Sequence, residues 1–184
     1  MGTLTVSLRA AQPDHIRQIN AKFKTMKLYK RVDDKIHFWE TWDIDDKTGA
    51  VHKGIIGHRG DYRKVKSDLF SSFRKEVQKE IDQYCKDGYQ EVDIEDHFTL
   101  LIEFKVDGMG TVEDVEKRTR LQERMDDVLG WTGLGHCDGG SIGSGTMEVC
   151  CFVIDFEVAK SVIEENLKDT EFANYTRIFD ENAE

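Results

Sequence analysis

The patterning of this 184-residue chain predicts an α+β protein built in two parts, and three observations carry that reading. Between Met26 and Val65, four short runs of alternating apolar and polar residues are broken by turn residues, as in an antiparallel meander. From Phe98 onward, runs with a period of two and runs with a period of three to four succeed one another as strand, helix, strand, strand, helix, strand. Charge also changes between the parts: residues 1–97 carry 18 Lys/Arg against 17 Asp/Glu, and residues 98–184 carry 8 against 19. A step of that size marks a boundary near His97, with one domain over 1–97 and another over 98–184.

Composition narrows the class. With 39% apolar residues the chain has enough material for a core. Its longest apolar run falls well short of the ~18 residues that a bilayer-spanning helix needs. The opening MGTLTVSLRA lacks a basic segment followed by an apolar one, so it does not read as a secretory signal. The expectation is a soluble cytoplasmic protein with no membrane partner. Of the four cysteines, Cys85, Cys137, Cys150 and Cys151, the last two are adjacent in a strand and must face opposite ways. That is not a disulfide framework, and it suits a reducing compartment.

In chain order, Thr3 to Leu8 alternates as a short strand, and Pro13-Asp14 opens a helix through Ile16, Ile19 and Phe23. Met26 to Val32 and Ile36 to Ile44 are strands, the second with Phe38, Trp42 and Ile44 on one face and Trp39 on the other. Lys47-Thr48-Gly49 turns the chain into a third strand, Ala50 to Ile56. After Gly57-His58-Arg59-Gly60 a fourth follows, Tyr62 to Val65. A helix capped by Ser67 or Asp68 then carries Leu69, Phe73, Val77, Ile81 and Tyr84 along one stripe, with Lys86 and Gly88 at its end. Its stripe needs a sheet, and the meander supplies one.

The order LYK, HFWE, KGIIGHRG and a helix closing on Gly88-Tyr89 resembles the WGR domain over about Lys27 to Tyr89, matching Phe38-Trp39-Glu40, Gly54, Ile56-Gly57 and Gly60. Where that family has its naming Trp and Arg, this chain has Lys53 and Ile55. In DNA-end-sensing poly(ADP-ribose) polymerases those two residues serve nucleic-acid and interdomain contacts. The resemblance therefore implies a small sheet-and-helix module and, through its basic face, a nucleic-acid contact that lacks the stacking Trp and the Arg fork. The residues left to make such a contact are Lys53, Arg59, Arg63, Lys64 and Lys66, with Trp39 and Tyr62 as aromatic support. A solvated sheet edge blunted by lysines is the competing reading, and the acidity of the second half favours it.

In the second half, Phe98 to Val106 alternates with Leu101 opposite the main apolar face, and Gly108-Met109-Gly110 turns the chain. Thr111 and Asp114 form a capping box for a helix carrying Val115, Leu121, Met125, Val128 and Leu129, which Gly130 ends. A glycine-dense hairpin follows, from Leu134 to Ile154. An Asp155-capped helix then runs through Ala159, Val162, Ile163 and Leu167, before a last strand near Tyr175 to Phe179. This order is that of a ferredoxin-like sandwich, whose helices cover one sheet face. The strand Met147 to Ile154 is apolar on both faces, with Cys150, Phe152 and Ile154 opposite Val149, Cys151 and Val153. With Leu101 added, the helix-free face should be covered by the first domain, by a second copy in a homodimer, or by a partner protein; the first two are favoured.

No constellation for chemistry stands out. His136-Cys137-Asp138 with His97 lacks the repeated short spacings of a zinc site, and Asp138 fits an Asx-turn better. The glycine-rich loop of His136, Asp138, Gly139, Gly140, Gly143 and Gly145 could cradle a phosphate. It has neither the Lys-Ser/Thr ending nor the following helix, so glycines at turns and bulges fit better. No nucleophile has a base in reach by sequence, and no carboxylate pair is set apart. The expectation is a non-catalytic protein without metal or cofactor. Its partner is a basic protein, engaged in the manner of an inhibitor or immunity protein, with nucleic-acid binding through the first domain as the alternative.

Overall fold

The computed structural model describes residues 25–68 and 71–183, so the strand and helix expected before Thr25, and Leu69, lie outside the described residues. The chain divides between Asp93 and Ile94 into two compact units. Among the described residues both are α+β, each with one antiparallel four-stranded sheet, and together they carry three α-helices.

The first unit is a meander of β1 (Thr25–Val32), β2 (Lys35–Asp45), β3 (Thr48–Ile55) and β4 (Asp61–Lys66), in that spatial order. Two-residue turns join the first three strands. Asp33 adopts φ 55° in the first turn, and Lys47 N–H donates to Asp45 Oδ1 at 2.8 Å in the second. The chain therefore turns at Asp46-Lys47, just before the expected Lys47-Thr48-Gly49, because the Asp45 side chain supplies the acceptor.

Helix α1 (Phe73–Lys86) starts later than either expected cap predicts. Its N-cap is Ser72, whose side chain makes no capping bond. Ser67 Oγ instead accepts from Phe73 N–H at 3.0 Å, and Asp68 Oδ1 accepts from Ser71 N–H at 2.7 Å. Both residues do hold backbone donors, but across a short connection rather than as the cap. Gly88, at φ 89°, ends the helix as expected. The apolar stripe Phe73, Val77 and Ile81 packs on Met26, Leu28, Trp39 and Val51, with Val65, Tyr84, Cys85 and Tyr89 at the margin. Each such buried side chain is worth about 2 kcal/mol, so this face is a main source of the unit's cohesion.

The second unit contains β5 (Phe98–Lys105), α2 (Val112–Trp131), β6 (Gly135–Gly143), β7 (Thr146–Val153), α3 (Phe156–Leu167) and β8 (Arg177–Asp180), with the sheet ordered β6-β7-β5-β8. The expected capping box is present: Asp114 N–H donates to Thr111 Oγ1 and Thr111 N–H donates to Asp114 Oδ2. Asp155 Oδ1 likewise accepts from Val158 N–H at the start of α3. Helix α2 passes through Gly130 to Trp131, and the left-handed residue behind its end is Gly133, at φ 67°. The last strand begins at Arg177 rather than Tyr175.

Strand β7 shows the alternation that organises this unit. Met147, Val149, Cys151 and Val153 are fully buried beneath Leu121, Met125 and Leu129 of α2 and Ala159, Ile163 and Leu167 of α3. The two helices meet on that side, where Arg124 donates to Asn166 Oδ1 at 2.7 Å. Cys150 and Phe152 on the opposite face are only half-buried. Cys137 and Cys151 stand directly opposite on β6 and β7, 4.0 Å apart at Cα, and are joined by a disulfide. This corrects the reading of the cysteines as unpaired: neighbouring antiparallel strands bring the pair together, across a separation of 14 residues that spacing does not reveal.

Candidate functional site

The basic residues singled out in the first unit do not share one surface. Strand alternation puts Lys53 and Arg63 on the face that carries α1, where Lys53 Nζ donates to Tyr84 Oη at 3.4 Å and Arg63 pairs with Glu80. Trp39 lies on the same face with 0% exposure, its ring 5.3 Å from that of Tyr84. It is a core residue, which corrects its expected role as a stacking platform. Tyr62, Lys64 and Lys66 belong to the opposite face, and Arg59 sits in the β3–β4 connection. The aromatic neighbour of Tyr62 is Trp42, with ring centroids 5.9 Å apart.

Sequence reading missed the polar cluster on that second face. Lys27, Glu40 and His52 are paired in register across β1, β2 and β3. Glu40 Oε1 lies 2.6 Å from His52 Nδ1, and its Oε2 lies 3.3 Å from Lys27 Nζ. A carboxylate only accepts, so the proton of the first contact belongs to Nδ1. His52 is 1% exposed and Glu40 8%, and Lys27 also lies over the rings of Tyr29 and Phe38. Burial lowers the Lys27 ammonium from its ordinary value against the pull of Glu40, while burial and the Glu40 charge push the Tyr29 phenol up. A Cβ on Gly60 would stand 2.8 Å from Phe38 Cζ and 2.5 Å from His52 Nε2, so the loop backbone fills the space beside both rings. The arrangement pins three strands in register. Its only advance signal is the row of polar residues inside otherwise apolar strands, Glu40 and His52, whose meeting depends on the register.

The glycine-rich stretch is the β6–β7 hairpin. Its register slips by one residue between Cys137 and Gly140, which makes Asp138-Gly139 a bulge, with Gly139 at φ 97°. Ser144 and Gly145 form the two-residue turn, both with positive φ. Gly140 is required by close approach, because a Cβ there would collide with Glu148 O. Backbone groups of the hairpin are bonded outside its own ladder. Gly145 N–H donates to Gly108 O, Val106 N–H donates to Gly145 O, and Cys137 N–H donates to Asp126 Oδ1 from α2. Asp126, not Asp138, is thus the carboxylate that holds an amide here. Arg118 Nη1 occupies Gly140 O at 3.1 Å.

Comparison with protein-family models, with curated proteins and with solved structures yields no match to this chain. Among the described residues no three His, Cys, Asp or Glu side chains gather as metal ligands would, and no helix is long and apolar enough to cross a membrane. His136 lies against Phe152, with ring centroids 5.6 Å apart, on the face of the second sheet that α2 and α3 leave open.

Electrostatics separates the helical side of this unit from ordinary balanced surfaces. All four cations of α2 are committed to local partners: Lys117 to Asn174, Arg118 to Gly140 O, Arg120 to Glu171 in a two-bond fork, and Arg124 to Asn166. Arg177 is held by Glu103 at 3.1 Å. Glu113, Glu116, Glu123 and Asp127 of α2 and Glu157, Glu164 and Glu165 of α3 are exposed.

Proposed function

We propose that this chain is a non-catalytic interaction protein whose acidic second unit engages a basic protein, as an inhibitor or immunity-type protein does. The observation that carries the reading is the excess of 19 Asp/Glu over 8 Lys/Arg in residues 98–184, seven of those carboxylates being exposed along α2 and α3 while the α2 cations and Arg177 are bonded to local groups. Such a field speeds encounter with an oppositely charged partner and fixes its orientation. The element order and the spatial order β6-β7-β5-β8 support a ferredoxin-like sandwich as the scaffold for that surface. The test is the association rate of the full chain with a panel of small basic proteins, nucleases among them, and with acidic proteins of equal size, at low and physiological salt. Association with basic members should fall with salt and drop about tenfold when Glu113, Glu116, Glu164 and Glu165 are changed to Lys. Equal and negligible association of both panels at low salt would overturn the reading.

One observation favours a second reading. Lys64 and Lys66 lie on the same face as Tyr62 and Trp42, a basic edge beside paired aromatic rings. Together with the WGR resemblance, and a first unit of four antiparallel strands followed by a helix, this supports a nucleic-acid-binding accessory role. Fluorescence anisotropy with nicked, blunt-ended and single-stranded probes tests it. Salt-sensitive binding lost in Lys64→Glu, Lys66→Glu supports the role, and no binding at low salt removes it.

A further inference from the structure

The open face of the second sheet combines an apolar strip with a carboxylate rim. Cross-strand register sets Leu101 beside Cys150 on one side and Phe179 on the other, and sets His136 beside Phe152. Leu101 is 7% exposed, while Cys150, Phe152 and Phe179 are half-buried. Asp138 stands in the bulge beside Cys150 and Glu148 two residues before it on the same face of β7, and after burial itself the charges of Glu181, Asp138 and Glu148 push the Cys150 thiol up. Glu148 is held in place by Ser141 Oγ, which donates to its Oε2 at 2.9 Å. Of the cations on this face, Arg177 is bound to Glu103 and stacked on Phe179 at 3.9 Å, and Lys105 lies at the far end of β5.

We propose that this face docks a basic amphipathic segment of a partner protein, its apolar side chains on the Cys150–Phe152 strip and its Lys or Arg side chains against Asp138, Glu148 and Glu181. The proposal rests on the acidic-surface reading above: the α2 and α3 carboxylates act on approach through their field, and the contact itself is assigned to the sheet face. A second copy of the chain fits the rim poorly, because both halves of a two-fold contact would bring the same carboxylate rim. A basic segment neutralises them instead. Its apolar residues would remove from water a strip that the helices leave uncovered.

The probe is a synthetic ten-residue peptide of alternating Lys and Leu, compared with deca-lysine, against the full chain at low salt. Two readouts locate the contact. Iodoacetamide labelling, mapped by mass spectrometry at alkaline pH, follows Cys150, with Cys85 as internal reference. Affinity is compared between Glu148→Lys on the face and Glu164→Lys on α3, which alter net charge equally. The expected result is that the alternating peptide binds more tightly than deca-lysine. It should slow Cys150 labelling about fivefold relative to Cys85 and lose about tenfold in affinity in Glu148→Lys but less than twofold in Glu164→Lys. Binding that both reversals weaken alike, or that leaves Cys150 labelling unchanged, overturns the assignment to this face while the acidic-surface reading stands. No binding of either peptide at low salt overturns both.

Discussion

Glu40 accepts from two side chains on two flanking strands, and removing it takes the same carboxylate from both. Glu40→Leu leaves Lys27 and His52 without their shared carboxylate and should lower stability by about 3 kcal/mol, read from urea unfolding. The same site predicts a pH dependence. Lys27 has a folded value below its ordinary 10.5, so from that value up to 10.5 the unfolded chain binds more protons and stability rises with pH. Tyr29 is shifted the other way: its unfolded form ionises near 10.0 while the folded form keeps its proton, so above that pH stability falls. Urea midpoints between about pH 8 and 11 should therefore lose their rise in Lys27→Met and their fall in Tyr29→Phe. At this scale the sequence was legible for alternation and blind to register. Phe38 and Trp42 could be set opposite Trp39, but not which face α1 would cover, nor that Glu40 would stand between Lys27 and His52.

Hairpin β6–β7 gives the sharpest contrast between elements. Gly140→Ala would drive a Cβ into Glu148 O and should cost about 2 kcal/mol or more, whereas Gly130→Ala, in helix α2 with open space around it, should stabilise by about 0.5–1 kcal/mol. Thermal melts of the two variants should shift in opposite directions. Reducing Cys137–Cys151, which closes a loop of 14 residues, should lower stability by about 3 kcal/mol, seen as a lower urea midpoint with reductant. Local signals were readable here. Thr111 with Asp114, Asp155 before α3, and Gly88 behind α1 act within a few residues of the element they bound. Two features were not: the start of α1, held from Ser67 across a separation of six residues, and the disulfide, set by the register of β6 on β7.

Across the whole molecule, the α+β class followed from periodicity, because sheets with one helix-covered face impose it on every strand. The charge step near His97 and the division at Asp93 fall within a few residues of each other, each read from a different property of the chain. What periodicity could not supply is how cations are spent, and in the second unit those of α2 and Arg177 are bonded to local groups. Carboxylates there repel one another with little relief, so screening should help. Raising salt from about 20 to 500 mM should raise the melting temperature of the wild type by several degrees, and by less in the Glu113, Glu116, Glu164, Glu165 to Lys variant.

The bridge between Tyr29 and Gln90, with N–H···O distances of 2.8 and 2.9 Å in both directions, brings the chain's exit from the first unit back to β1, the first strand among the described residues. A segment whose two ends meet is self-closing, and its connectivity can be rewritten. Joining Thr25 to a residue just past Gln90 by a short linker and opening the chain at Asp33-Asp34 should yield a folded circular permutant. By the same geometry the unit could be spliced into a surface loop of another protein without prising that loop apart.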